Sequence, residues 1–227
     1  MVETVFLDAG GVLVYPNWTR VSETLSRHGV EVAPAALARA EPRAKHRLDS
    51  GETVATTNDA SRGWLYFDLI LTEAGVPLSE ATAAALDELQ AYHRESNLWE
   101  FVPPYVVPTL LALRTRGLTL TVVSNANGTL CQHFDRLGLG ASFGCVLDSY
   151  DVQVEKPHPR IFEIALERSG ARAETTIHVG DIYHVDVVGA RGAGIRPVLL
   201  DEADLYRDAD CPRIRSLPEL VTLVPEL

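Results

Sequence analysis

The segment Val5-Phe6-Leu7-Asp8-Ala9-Gly10-Gly11-Val12-Leu13 decides how the rest of the chain is read. An apolar run too short for a helix ends in a carboxylate and passes straight into two glycines. That is the pattern of a buried strand followed by a tight turn. A first strand is expected over residues 3–8. The same grammar recurs further along. Residues 118–123 are apolar and β-branched and lead into Ser124-Asn125. Residues 145–147 make a short strand. Residues 175–179 lead into Gly180-Asp181, and residues 195–200 make a fifth strand. Helical stretches separate them: residues 106–116 with Gly117 as stop, 127–137 with Gly138 beyond, 159–169 and 184–191. Ser216 and Glu219 form an S-x-x-E box that opens a last short helix. Strands that alternate with helices pair in parallel, so the expected class is α/β, a doubly wound, Rossmann-like parallel sheet. In such sheets ligands sit beyond the carboxyl ends of the strands.

Between these two stretches of alternation the pattern is helical only. Asn17 can cap a helix that runs to about His28 and stops at Gly29. Pro34 opens a second, through Ala44 or beyond. Residues 59–74 read as a third, ended by Gly75. Ser79-Glu80 starts a fourth, with Leu86, Leu89 and His93 on one face. Pro103-Pro104 marks the return. The expected organisation is a core of residues 1–14 and 102–227, with residues 15–101 inserted as an all-helical domain.

Bulk properties narrow the function. At 46% hydrophobic residues over 227 positions, the chain can bury a full core. A formal net charge of −11 argues against nucleic acid or an anionic membrane surface as main partner. No basic region followed by an apolar stretch opens the sequence, and no apolar run approaches the length of a membrane span. Cys131, Cys145 and Cys211 are odd in number and widely spaced, so a reduced, cytoplasmic protein is expected. Of the 20 Lys and Arg residues, only Lys45 and Lys156 are lysine. An ammonium is a compact point charge that an Arg fork does not replace, so both positions draw notice.

The candidate site residues fall just after the expected strands. Asp8 ends the first, Ser124-Asn125 the second and Asp181 the fourth. Lys156 follows the third after a loop, and Asp186 comes five residues after Asp181. Each has an ordinary reading as well. Ser124 could cap the next helix, and Lys156 before Pro157 could be a solvated turn residue. Asp186 could be a first-turn helix acid, and Gly10-Gly11 only a tight turn.

Taken in order, Asp8, Ser124, Lys156 and Asp181 with Asp186 resemble the four motifs of the haloacid dehalogenase-like (HAD) superfamily, and they cover nearly the whole chain. The resemblance implies a hydrolase, most often a phosphatase, whose inserted helical C1 cap closes over the site and selects substrate. It implies Asp8 as nucleophile and Mg²⁺ ligand. The Gly10 carbonyl and Asp181 would complete the protein ligands, and Asp186 would support the metal site or Lys156 from behind. Ser124, Asn125 and Lys156 would bind the transferring phosphoryl group. Such a site acts by neutralising a phosphate dianion that would otherwise repel an anionic nucleophile. The implied partner is a small anionic, phosphorylated substrate.

At one position the chain departs from the family. Most phosphatases of the family carry a second Asp, the general acid, where this chain has Gly10. The proton could come from Tyr15, Tyr183, His184 or His46, or good leaving groups could make it unnecessary. Two branches of the family offer other chemistry. The 2-haloacid dehalogenases also lack the second Asp, but they typically carry an aromatic at that position and lose the Gly-Asp pair retained here as Gly180-Asp181. Phosphonoacetaldehyde hydrolases have a small residue there and a cap lysine that forms a Schiff base, for which Lys45 is the candidate. The plainer expectation is that Lys45 belongs to a solvated basic helix face with Arg39, Arg43 and Arg47. A catalytically weak or inactive protein that binds a phosphorylated ligand is the remaining alternative.

Overall fold

A computed structural model describes residues 1–56 and 59–227. The chain divides into two compact units. One comprises Met1–Val14 and Val102–Leu227, the other Tyr15–Phe101. Among the described residues, no helix is long and apolar enough to cross a membrane.

The first unit is built on a six-stranded sheet, with β1 at Thr4–Leu7, β2 at Thr119–Ser124, β3 at Cys145–Asp148, β4 at Thr176–Gly180, β5 at Arg196–Leu200 and β6 at Arg213–Ile214. The order is β3-β2-β1-β4-β5-β6 and every pairing is parallel. From β1 the chain builds outward through β2 and β3. It then crosses back to lay β4 on the other side of β1, which makes the crevice beside β1 the switch point of the sheet. In register, Leu7 lies opposite Val122 on one side and Val179 on the other. The loops that follow β1, β2 and β4 therefore leave the sheet side by side. Phe6, Val123, Leu147, Ile161 and Phe162 form a core beneath them, fully buried. β6 was not expected from the sequence, because two residues carry no periodicity.

The second unit has α1 at Trp18–Arg27, α2 at Pro34–Leu48, α3 at Gly51–Thr56, α4 at Asp59–Glu73 and α5 at Glu80–Ser96. Asn17 caps α1 by accepting the Arg20 amide at 3.0 Å, and Ser79 with Thr82 forms a reciprocal capping box on α5. The ends of the unit meet. Tyr15 and Phe101 exchange backbone hydrogen bonds at 2.8 and 3.1 Å, and Glu100 accepts from Asn17, Arg20 and Tyr92. An insertion whose ends pair in this way leaves and re-enters the chain at one point. Its core centres on Phe67, against which the rings of Trp18, Trp64, Tyr66 and Trp99 pack with centroids 5.1–6.3 Å away.

Lys45 departs from expectation. Arg39, Arg43 and Arg47 are exposed, as a solvated face requires. Lys45 is 9% exposed and lies with Glu41 on the buried side of α2. Its ammonium is 3.6 Å from Glu41, which also accepts a 2.7 Å hydrogen bond from the Tyr66 hydroxyl. A step of two residues turns a helix by about 200°, so alternate residues of one charged run face opposite ways.

Truncating Phe67 to Ala should cost about 3–5 kcal/mol, the range for emptying a packed aromatic site. Urea unfolding of the purified variant measures it, and a loss under about 1 kcal/mol would contradict the packing described.

Candidate active site at the carboxyl edge of the sheet

The remaining helices of the first unit are α6 at Val106–Thr115, α7 at Leu130–Arg136, α8 at Ser149–Val152, α9 at Pro159–Ser169, α10 at Val188–Gly192 and α11 at Leu220–Leu223. The groups at the carboxyl edge come from the loops that lead into them. Asp8 follows β1 and its backbone amide still bonds Val179 across the sheet at 2.9 Å. Its Oδ1 accepts from the Ala9 amide at 2.7 Å and pairs with the Lys156 ammonium at 2.9 Å. The side chain is 13% exposed, and among the described residues Oδ2 takes no hydrogen bond. One oxygen is fixed and the other is not.

Lys156 is 1% exposed, which removes the solvated-turn reading. Its ammonium donates to Asp186 Oδ1 at 2.7 Å as well as pairing with Asp8. Asn125 sets the position of this lysine. Its carboxamide oxygen accepts the Lys156 amide at 2.7 Å and its nitrogen donates to the Lys156 carbonyl at 3.0 Å. The Asn125 side chain is thus spent on the backbone of the Lys156 loop. Ser124 ends β2 beside it, buried, and among the described residues its hydroxyl has only a 3.5 Å contact to the Asn125 carbonyl. It does not cap the next helix, because α7 begins at Leu130 with Thr129 as cap residue.

Asp186 lies in a π-helical turn, Tyr183–Val187, directly after the Asp181 loop. Both its oxygens are in use: Oδ1 accepts from Lys156 and His178, the latter at 2.9 Å, and Oδ2 accepts the Ile182 amide at 3.1 Å. This placement requires glycine at 180. A Cβ there would stand 2.0 Å from Asp186 Cγ. Asp181 is buried, and Asp8, Asp181 and Asp186 each offer a carboxylate oxygen within 4.8 Å of the others.

The two glycines after Asp8 differ. Gly11 has φ 74°, in the left-handed region, and turns the chain; Gly10 does not occupy that region. The turn is closed by the Val14 amide on the Ala9 carbonyl and the Gly11 amide on the Val14 carbonyl. Gly10, between them, directs its own amide and carbonyl to the opposite side.

With this geometry in place, similarity to known proteins becomes informative. The family model of haloacid dehalogenase-like hydrolases matches residues 2–194. The chain belongs to this family. It is 33% identical over 218 residues to the human haloacid dehalogenase-like hydrolase domain-containing protein 3, covering 88% of this chain and 82% of that one. It is 34% identical over 175 residues to a glyceraldehyde 3-phosphate phosphatase of Methanopyrus kandleri, covering 71% and 72%. Among solved structures, a 2-haloacid dehalogenase from Pseudomonas syringae superposes with a TM-score of 0.62 at 26% identity, over 100% of this chain and 99% of that one.

The electrostatics of this HAD-like hydrolase follow from burial and pairing. Burial pushes the Asp8 carboxyl up, the Lys156 charge offsets part of that, and the Asp186 charge adds to it. Burial also works to raise Asp186, but Lys156 and then the His178 hydrogen bond outweigh it, and Asp186 ends well below the usual carboxylate range. Burial opposes charge on Lys156 too, yet Asp186 and Asp8 outweigh it and hold the ammonium. His178 is pushed down by burial, only partly offset by Asp186. It is therefore neutral at pH 7 and donates from Nε2, which leaves Nδ1 buried with no hydrogen-bond partner among the described residues. Three clustered carboxylates make an all-oxygen donor set of the kind that fits a hard divalent cation.

Two residues that hold the site were not picked out from sequence. His178 is a polar residue inside an apolar strand, and that was its signal. Asp148 is buried at the end of β3, where it accepts from Gly128, Leu130 and Tyr150 amides at 2.8, 3.3 and 3.0 Å and so shapes the loop after Ser124. It is the last residue of its strand, as Asp8 is the first beyond β1. Of the residues considered as replacement acids, Tyr183 donates to Asp210 at 2.6 Å, which raises its pKa and makes it a poorer acid. His184 is half-buried, His46 is exposed, and Tyr15 is buried in the helical unit.

Replacing Lys156 by Met should cost about 3–5 kcal/mol at pH 7, because it leaves buried carboxylates unpaired. The pH dependence has a definite sign. In the native protein the depressed Asp186 contributes stability above the ordinary carboxylate pKa and loses it as pH falls below that. Without the ammonium the carboxyl pKa values rise, and a raised group stabilises the fold at low pH and loses that contribution as pH rises. The deficit of the variant should therefore shrink between pH 7 and pH 5 in metal-free buffer. An equal deficit at both would contradict the pairing.

Proposed function

We propose that this protein is a Mg²⁺-dependent phosphatase of small molecules that acts through an aspartyl-phosphate on Asp8. The observation that carries the reading is the division of labour on that carboxylate: Oδ1 is anchored by Lys156 and the Ala9 amide while Oδ2 takes no hydrogen bond among the described residues. Asp8, Asp181 and the Gly10 carbonyl would hold the cation, which when bound neutralises phosphoryl charge beside the nucleophile. Asp186 acts from behind, because its oxygens are already committed. The Lys156 ammonium lies beside the attacking carboxylate and compensates charge on the transferring group. Ser124 Oγ is unspent and supplies a hydrogen bond to a phosphoryl oxygen. Asn125 contributes its backbone amide, since its side chain holds Lys156. The helical unit acts as a cap that selects substrate. The three free cysteines suit a reducing, cytoplasmic setting.

The likeness to a glyceraldehyde 3-phosphate phosphatase supports a small phosphorylated substrate. The alkoxide of such an ester is a poor leaving group, and Gly10 offers it no proton. General acid catalysis is worth roughly 10²–10⁴ in rate. Turnover should therefore depend steeply on leaving-group pKa, with aryl and acyl phosphates fast and sugar phosphates slow. Gly10→Asp should recover up to about 10²–10⁴-fold on the poor leaving groups. A screen of phosphate esters with and without Mg²⁺ measures both, with Asp8→Asn as the inactive control. A flat leaving-group dependence in the native protein would mean that another residue donates the proton. Activity retained in Asp8→Asn would overturn the reading.

The burial of Lys45 favours a second reading, a phosphonoacetaldehyde hydrolase-like enzyme with Lys45 as the Schiff-base amine. Borohydride added with phosphonoacetaldehyde would then inactivate the protein and label Lys45. The phosphatase reading expects no label and an active Lys45→Arg variant.

A further inference from the structure

We propose that Asp8 keeps the phosphoryl group after the first transfer, so that an activated donor such as an acyl phosphate loads the protein with a persistent aspartyl-phosphate. This rests on the phosphatase reading and concerns its second half. The two halves of the reaction make different demands on protons. In the first, an Asp8 oxygen bonds to phosphorus, the bond from phosphorus to the acyl oxygen breaks, and the acyl group leaves as a carboxylate. No proton moves. In the second, a water oxygen bonds to phosphorus, the bond from phosphorus to Asp8 breaks, and the Asp8 carboxylate is restored. The attacking water must shed a proton, which ends on inorganic phosphate. A positioned base speeds this step, whatever donor loaded the site.

The groups gathered around Asp8 in its own unit offer no side chain for that task. Lys156 is an ammonium already donating to two carboxylates, so it has no lone pair to give. Asp186 accepts on both oxygens, from Lys156, His178 and the Ile182 amide. His178 is fully buried, and the Nδ1 that could accept a proton is sealed from solvent. The Asn125 carboxamide is bound to the Lys156 backbone. Asp181 is committed to the cation in the reading above. Position 10 follows the nucleophile by two residues and has no side chain at all. The backbone does not demand this, because Gly10 lies outside the left-handed region that Gly11 occupies. The loss of a base therefore falls wholly on the second transfer once the donor has a good leaving group.

The test uses the full chain with Mg²⁺ and p-nitrophenyl phosphate in a stopped-flow instrument, and radiolabelled acetyl phosphate in an acid quench. The expected result is a burst of about one nitrophenolate per protein before a slow steady state. The quenched protein should carry phosphate that hydroxylamine releases. Gly10→Asp should raise the steady-state rate by up to about 10²–10⁴-fold and abolish the burst. Linear release from the first turnover, lost in Asp8→Asn, would overturn persistence and leave the phosphatase reading standing. A label that survives in Asp8→Asn, or neither label nor release from any donor, would overturn both.

Discussion

The candidate site depends on one buried arrangement, the Lys156 ammonium held between Asp8 and Asp186. An isolated charge in this position would cost far more than a fold can spare, and burying a pair helps only when every remaining donor and acceptor is satisfied. Here the third partner and the backbone satisfy both oxygens of Asp186, and His178 Nδ1 is the buried atom left over. Asp186 takes the lysine, the His178 Nε2–H and the Ile182 amide, and Lys156 is tied through its own backbone to Asn125. The arrangement spends one oxygen of Asp8 on anchoring and leaves the other without a hydrogen bond among the described residues. That asymmetry is what the proposed role of Asp8 as nucleophile rests on.

The neighbouring sequence can be understood as what this arrangement requires. Gly180 is small because the Asp186 carboxylate lies where its Cβ would be. The π-helical turn brings Asp186 back toward the strand from which the chain has just emerged. Asp148 collects three amides and so fixes the loop that presents Ser124 and Asn125. The β1–β4 pairing sets the Asp8 and Asp181 loops side by side. None of these devices involves position 10. Asp8, Lys156, Asp181 and Asp186 are assembled without any side chain at position 10.

Much of this was legible in the sequence, and the parts that were not have physical causes. Asp8, Ser124 and Asp181 could be found because a polar residue after an apolar run marks the carboxyl end of a strand. Asp148 obeys the same rule, directly after the apolar residues 145–147, and was passed over. The helix expected from Asn127 begins at Leu130 instead, since Asp148 takes the Gly128 and Leu130 amides and holds the segment as a turn. The role of His178 could not be read from periodicity, because its partner Asp186 reaches it through a turn that no spacing rule anticipates. The burial of Lys45 was hidden by its company: a run of charges reads as a solvated face, and only the packing of α2 shows that Glu41 and Lys45 turn inward.

The central claim is that Asp8, anchored by Lys156, is a complete phosphoryl acceptor that needs nothing from position 10. Beryllium fluoride mimics a phosphoryl group on a carboxylate and has no leaving group, so it isolates that claim from every question of proton supply. Fluorine NMR of the protein with Mg²⁺ and beryllium fluoride should show a bound resonance. That resonance should be lost on chelation and in Asp8→Asn, and retained in Gly10→Asp. No bound resonance in the native protein, or one that persists in Asp8→Asn, would contradict the account.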